Sequence, residues 1–438
     1  MNTQLKTIFV FLFLVCTLRG TAQNFSIDYP SYQNRNSDAL EISRIVRNDT
    51  ATILYMDAYS RPNYWIRLAS GLSLHGNQTG KNYPIIRSQG FELDKEVYMP
   101  ASGNVTFSLQ FAPLAPQEKM IDFIEGANKG DFQIKSISLN EQEKKGKIHC
   151  HISGKVIDSP QSSRLVLMKA HKNPSSSPWL SMPIRNGEFQ YDFYADHEEV
   201  YEVFIWNDML TGSWLPSLFF AENGPVSFTL YPASTRKPGL VSTSNPLTCE
   251  LQQLESERKA KFNFDSLYAQ MNKLYEENRF ESEALQTLWK KIEQVKDNNE
   301  ERNNIYRERD RLEESGEAYT EEGKALLAKI KQLNEEMNQW TIKHIKQNPS
   351  LPGLYVLTSK TEMARKGEDV TPFLNAYQET FASLYPEHPY GQQMQMLIKN
   401  GQPEIGKPYV DFSAPDLNGN KVQISKYIQG KVALIDLW

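Results

Sequence analysis

Cysteine is scarce, histidine is sparse, and no apolar run beyond the first fifteen residues approaches the length of a membrane span. The 438-residue chain holds 3 cysteines and 7 histidines. So few cysteines exclude a disulfide-dense secreted scaffold, in which several bridges stand in for a small core. Cys16 falls in the leading apolar stretch, and Cys150 and Cys249 lie far apart, one in a strand pattern and one at a helix start. Both read as unpaired thiols. Neither charge sign dominates: the formal net charge is −5, which gives no electrostatic case for nucleic acid as a partner. P-loop, dinucleotide, zinc-protease and nucleophile-elbow motifs are all missing. No cofactor is called for, and no signal of oligomeric state is present.

The N-terminus does carry a signal. Lys6 supplies a positive start, Ile8 to Val15 is an apolar core, and Gly20-Thr21-Ala22 offers small residues for a peptidase. That order reads as a signal peptide over 1–22, cleaved after Ala22. Its apolar core is shorter than the roughly 20 residues a membrane helix needs, and no later stretch reaches that length. A lipoprotein site at Cys16 is disfavoured by the bulky Val15 before it. The mature chain is therefore expected to be exported, to the periplasm or cell envelope of a Gram-negative bacterium, without a membrane span.

About three domains fit the remaining length. Residues 23–143 predict a β-sandwich-like domain: Thr52–Ala58, Tyr64–Leu68 and Val105–Phe111 are rich in branched and aromatic residues and alternate with period two. Lys144-Lys145-Gly146-Lys147 marks a linker. A second β domain follows over 146–235, with alternation from Ile148 to Val156 and a hairpin signal at Asn186-Gly187 between Met182–Ile184 and Phe189–Tyr191. Residues 232–246 read as a linker, and the period then becomes helical over 247–400. Phe264, Leu267, Tyr268, Met271, Leu274 and Tyr275 recur at helical spacing, as do Leu285, Leu288, Trp289, Ile292 and Val295. A third stripe runs from Leu326 to Trp340. Gly316 and Gly323 are expected to divide two helices of an antiparallel hairpin, since glycine weakens a helix interior by about 1 kcal/mol. A coiled-coil arm is the alternative; no sustained heptad supports it.

The final segment, 401–438, contains Ile405-Gly406-Lys407-Pro408, Asp411-Phe412, Pro415-Asp416-Leu417-Asn418-Gly419, Gly430-Lys431 and the apolar run Val432 to Trp438. In order and spacing these resemble the start of the TlpA/ResA-like thiol–disulfide oxidoreductases, within the wider AhpC/TSA redoxin group. The stretch Ile121–Gly126 with Phe132–Ile134 is similar to a segment ahead of redoxin domains in envelope proteins. Residues 146–235, with Asn186-Gly187-x-Phe189 and Phe220-x-Glu222-x-Gly224, resemble a β domain that often precedes them. The resemblance implies the N-terminal piece of a thioredoxin-like α/β domain, with 431–437 as its first central strand. It implies Asp436 as the buried acid beneath the redox cysteines and Trp438 as the active-site wall. The family's Cys-x-x-Cys follows a few residues later and is not in this sequence, which reads as truncated before that motif. Without it no residue is assigned as catalytic.

Other chemistry-bearing residues are few. His149 and His151 stand two apart on one strand and share a face, enough for two zinc ligands, but no further ligands cluster nearby, so no metal is assigned. Asp49-Thr50-Ala51 fits a short O-glycosylation pattern of exported proteins. Asn24, Asn48, Asn77 and Asn104 open N-glycosylation sequons. Trp206, Trp214 and Tyr231 could form an aromatic platform. Two functions are expected from these features. The chain is the N-terminal part of an exported thiol–disulfide oxidoreductase whose partners are protein thiols or disulfides. Alternatively, it is a non-catalytic envelope protein that binds another protein or a glycan through its β domains and helical arm.

Overall fold

The computed structural model describes residues 25–434, apart from 129, 141–145, 160, 175–176, 178, 296–297, 365–367, 401–408, 410 and 416–420. The signal sequence with Cys16, sequon Asn24, and Asp436 and Trp438 lie outside the described residues. The chain is multidomain, as its composition shifts suggest.

The first domain begins with β1 (Phe25–Asp28), β2 (Asn34–Arg35), β3 (Leu40–Arg47) and β4 (Thr52–Tyr59). β5 (Trp65–Ile66), β6 (Ser73–Gly76), β7 (Asn82–Gln89) and β8 (Val97–Tyr98) come next. β9 (Asn104–Phe111), β10 (Met120–Ile124) and β11 (Gln133–Ser138) complete it. Alternation builds these strands: in β10, Ile121 and Phe123 are fully buried while their neighbours are half-exposed. Between β3 and β4 the Asn48 side chain accepts from the Thr50 and Ala51 amides, both at 2.9 Å, and fixes the turn.

A two-sheet sandwich was the expectation, and the domain departs from it. One continuous nine-stranded sheet, in the order β1-β3-β4-β9-β7-β6-β10-β11-β2, curls on itself as a half-barrel. Its corner is β7, which pairs β6 through Asn82 to Pro84 and β9 from Ile85 onward, with a register shift between Ile85 and Arg87. The two end strands, β1 and β2, are joined only by residues 29–33. Such a strap spans at most about 20 Å at about 3.5 Å per residue, so the sheet has to bend until its ends approach. The enclosed core joins Leu54 and Met56 from one half to Ile121 and Phe123 from the other.

The second domain is a true sandwich. It contains β12 (Ile148–Val156), β13 (Arg164–Lys169), β14 (Leu180–Pro183), β15 (Glu188–Ala195) and β16 (Val200–Ile205). A short helix α1 (Trp206–Leu210) precedes β17 (Ser217–Phe220), β18 (Gly224–Leu230) and β19 (Leu240–Ser242). The sheets are β15-β12-β18-β19 and β14-β13-β16-β17, with Cys150, Ile152, Leu165, Val203 and Phe219 interleaved between them. β19 lies in the stretch read as linker and carries the domain through Ser242.

Eight α-helices follow among the described residues of 246–400: α2 (Pro246–Lys261), α3 (Asp265–Glu276), α4 (Glu283–Gln294), α5 (Asn299–Ser315), α6 (Glu321–Gln347), α7 (Leu351–Glu362), α8 (Thr371–Ala376), which runs on into a π-helical turn over Tyr377–Phe381, and α9 (Pro389–Asn400). Ser282, Asn298, Thr320 and Ser350 cap α4, α5, α6 and α7, each side chain accepting an amide three residues on. Gly316 ends α5 at φ 73°. Gly323 does not divide helices. It sits buried in the first turn of α6, where a Cβ would fall 2.4 Å from the Phe280 carbonyl oxygen, so glycine lets that backbone pass.

Residues of α2, α6, α7, α8 and α9 share a core with Ala170, Val200 and Phe220 of the second domain, while α4 and α5 pack in a core of their own. Glu222, at the centre of Phe220-x-Glu222-x-Gly224, accepts from the amides of Leu247 and Thr248 at 3.1 and 3.0 Å and so caps α2. The Tyr390 hydroxyl, on α9, accepts from the Val200 amide at 2.6 Å.

In the last segment, β20 (Ser413–Pro415) and β21 (Lys421–Gln423) form an antiparallel hairpin before α10 (Ser425–Ile428). The strand expected over 431–437 is not borne out where it is described. Lys431 to Leu434 lie outside any strand, with Val432 and Leu434 fully exposed. A central parallel strand is held by neighbours on both edges and cover on both faces, and no described element packs on these residues. The thioredoxin-like identity of this piece stays a proposal.

Candidate functional site

The two β domains meet along an interface built around two arginines. Arg164, at the start of β13, is 1% exposed. Its guanidinium lies 4.1 Å from the Trp206 ring and 4.3 Å from the Tyr59 ring of the first domain, and donates to the Asp38 carbonyl at 2.8 Å. Burial pushes its pKa down to about 10, against the opposing pull of Asp38. Arg185 reaches across from the second domain to Asp57 at 2.9 Å and to the Thr106 hydroxyl at 2.9 Å.

Beside this interface runs a cleft of about 550 Å³, within the range of ligand sites. One wall is the strap between β1 and β2, with Tyr29 and Tyr32; the other is β15, with Tyr191 and Asp192. Trp179 and Glu41 also line it. Glu41 pairs with Arg35, whose guanidinium lies 4.9 Å from the Trp179 ring. Burial raises the Glu41 carboxyl above its ordinary range even against Arg35. Sequence reasoning missed this cleft, because its walls come from stretches scattered between Ile27 and Tyr201 and only the fold brings them together. The clustered tyrosines at 29 and 32 and at 191 and 194 were the available trace.

His149 and His151 do share a face, and Asp192 on the neighbouring strand sits opposite them. Its Oδ1 lies 2.8 Å from His149 Nε2 and 2.9 Å from His151 Nδ1. Partial desolvation opposes ionisation of Asp192, but the hydrogen bonds from His151 and His149 outweigh it and lower its pKa. Among the described residues no group of three or more His, Cys, Asp or Glu side chains is arranged to hold a metal.

The remaining candidates scatter. Cys150 is buried in the sandwich core and Cys249 is exposed; neither is in a disulfide. Burial pushes the Cys150 thiol up to about 12, so about one molecule in 10⁵ carries the thiolate at neutral pH. Trp206 is committed to Arg164, Trp214 stacks on Phe204, and Tyr231 takes Lys237 over its ring, so the three make no common platform. Of the sequon asparagines, Asn48 holds its turn, Asn77 donates to Asp122, and Asn104 donates to the Ala58 carbonyl. Thr50 is exposed, and its hydroxyl donates to Asn48 at 2.8 Å.

Glu202 on β16 is a buried carboxyl whose only opposing influence is the His171 amide; burial lifts its pKa to about 7. A folded pKa raised from 4.5 means stability that is present below the unfolded value and lost as pH rises through 7. Glu202→Gln is expected to unfold at the same temperature as the parent at pH 4.5. At pH 8 the variant should be more stable by about 2 kcal/mol, allowing for residual solvent screening. Thermal melts at the two pH values check it.

No family model matches the chain, and no curated protein matches it. Among solved structures, a type I pullulanase from Bacillus subtilis str. 168, crystallised with maltose, aligns at 9% identity and a TM-score of 0.12. The alignment covers 39% of this chain and 23% of the pullulanase. Similarity at that level carries no argument about fold or function.

Proposed function

We propose that this chain is the N-terminal part of an exported thiol–disulfide oxidoreductase that carries out dithiol–disulfide exchange in the cell envelope. The β domains and helices recruit or position a partner, and the 438 residues hold no Cys-x-x-Cys pair. The observation that carries the reading is the order and spacing of the redoxin-like pieces from Ile405 to Trp438. Local geometry is compatible with it: the Asp411 carboxylate accepts from the Ser425 amide at 3.0 Å and from the Gln423 side chain at 2.6 Å, tying the hairpin to α10. Export is supported by the Lys6, Ile8–Val15 and Ala22 pattern. No helix among the described residues is long and apolar enough to cross a membrane.

Sequencing the coding DNA beyond the Trp438 codon tests this proposal. An in-frame Cys-x-x-Cys directly downstream is expected. A stop codon with no such pair in any nearby frame would sink the idea. The 438-residue chain itself should show no dithiothreitol-dependent insulin reduction above background. Cys150 is too buried to ionise, and Cys249 has no resolving cysteine beside it. Turnover abolished by Cys150→Ser or Cys249→Ser would overturn that expectation.

A second reading, a non-catalytic binding protein, is favoured by the cleft between the β domains.

A further inference from the structure

The turn at Asn186-Gly187 forms as its sequence demands, and its arms then separate. Both central residues take left-handed φ, 53° and 79°, the pair that a two-residue hairpin turn requires. Arg185 and Glu188 exchange backbone hydrogen bonds at 2.7 and 3.0 Å. Beyond that bridge β14 joins β13 in one sheet and β15 joins β12 in the other. Peptide orientation alternates along an antiparallel ladder. Glu188 spends its N–H and C=O on Arg185, so Phe189, Tyr191 and Phe193 bond to β12, and Gln190 and Asp192 turn theirs away from it. β15 is the last strand of its sheet, and among the described residues no backbone hydrogen bond meets Gln190 or Asp192 on that side.

The cleft reaches this open edge at Asp192, and Gln190 carries the edge on past its lining. Its volume suits a few residues of extended chain and excludes a folded domain. Four of the five charged residues lining it are paired with an opposite charge: Glu41 faces Arg35, Lys147 faces Asp196 at 3.1 Å, Lys169 faces Glu199, and Lys172 faces Glu362, while the fifth, Asp192, is hydrogen-bonded to the His149 and His151 rings. A charged occupant therefore gains little. An uncharged one with aromatic or branched side chains covers the rings of Tyr29, Tyr32 and Trp179 and satisfies the strand edge with its own backbone.

We propose that the cleft binds an uncharged, extended polypeptide segment of a partner protein, which adds to β15 as a further strand through Gln190 and Asp192. The inference is independent of the redox reading, since neither it nor its test involves a cysteine.

The test is fluorescence anisotropy of a labelled, capped hexapeptide of alternating valine and threonine with a central tyrosine, titrated with the full 438-residue chain. Saturable binding is expected, with Kd of about 1–100 μM. Asp192→Pro removes the outward N–H and should weaken binding at least about tenfold. Asp192→Ala loses the same carboxylate but keeps the N–H, and should bind at least about tenfold more tightly than Asp192→Pro. Peptides N-methylated on one alternate set of residues or on the other probe the same contact without altering the protein, should the proline variant fail to fold. One set should abolish binding and the other should leave it intact. The proposal is overturned by no saturation up to about 1 mM, by equal affinities of the folded proline and alanine variants, or by indifference to which peptide edge is methylated.

Discussion

Arg164→Ala is expected to destabilise the paired β domains by about 3 kcal/mol and to split their thermal unfolding into two steps. Each aromatic face on a desolvated guanidinium contributes about 2 kcal/mol, and the charged hydrogen bond to the Asp38 carbonyl about 1.5–3. Against these stands the cost of burying the charge. Net of the pull of Asp38 and Glu41, a pKa held at about 10 puts that cost at about 3 kcal/mol. Truncation also leaves a hollow between Tyr59 and Trp206. The splitting arises because Arg164 belongs to the second domain while Tyr59 and Asp38 belong to the first. Arg164→Lys should recover little, because an ammonium has no planar face to stack between two rings. Differential scanning calorimetry reads both effects; a single unshifted transition in the alanine variant would contradict them.

Gly154→Ala should be at least as damaging, at about 3 kcal/mol or more. A Cβ on Gly154 would lie 2.2 Å from the Phe228 carbonyl oxygen and 2.9 Å from Phe189 Cζ. The first contact is the more severe because the oxygen belongs to the backbone of β18, which pairs in parallel with β12 along its whole length. Moving it means prising apart the central ladder of a sheet. Phe189→Leu in the same chain relieves only the softer contact and should restore little. Chemical denaturation followed by near-ultraviolet circular dichroism measures the loss. A midpoint within error of the parent would show that the ladder yields more easily than its geometry implies.

How much of the fold is legible in the sequence depends on how local the cause is. The sandwich of the second domain is legible because alternation from Ile148 to Val156 places Cys150 and Ile152 on its inner face. The Asn186-Gly187 turn is legible from two residues. Gly323 misleads because a glycine that admits another segment's carbonyl looks, in sequence, like a glycine that ends a helix. Glu222 stands out as part of a motif, but its partners Leu247 and Thr248 follow a stretch that reads as linker. The curl of the first domain escapes for a similar reason: alternation says which residues face inward, and nothing about which strand sits at a sheet's end. Of the candidate sites, His149 and His151 fall on one face as their spacing predicts, but Asp192 joins them only across a ladder. The cleft has no motif at all.

The strap between β1 and β2 also sets an order of assembly. β1 can pair with β3 as soon as the chain reaches Arg47. β2 has to wait for β11, 97 residues separating Asn36 from Gln133, whose amide donates to the Asn36 side chain. Contacts that distant form late, after the loop-closure entropy has been met. Tyr29 and Tyr32 thus become a wall only when the last strand of the curled sheet zips home. A nascent chain halted before residue 133 has neither the closed strap nor β15, which supplies the other wall later, so occupancy of that cleft reports that both β domains have finished folding.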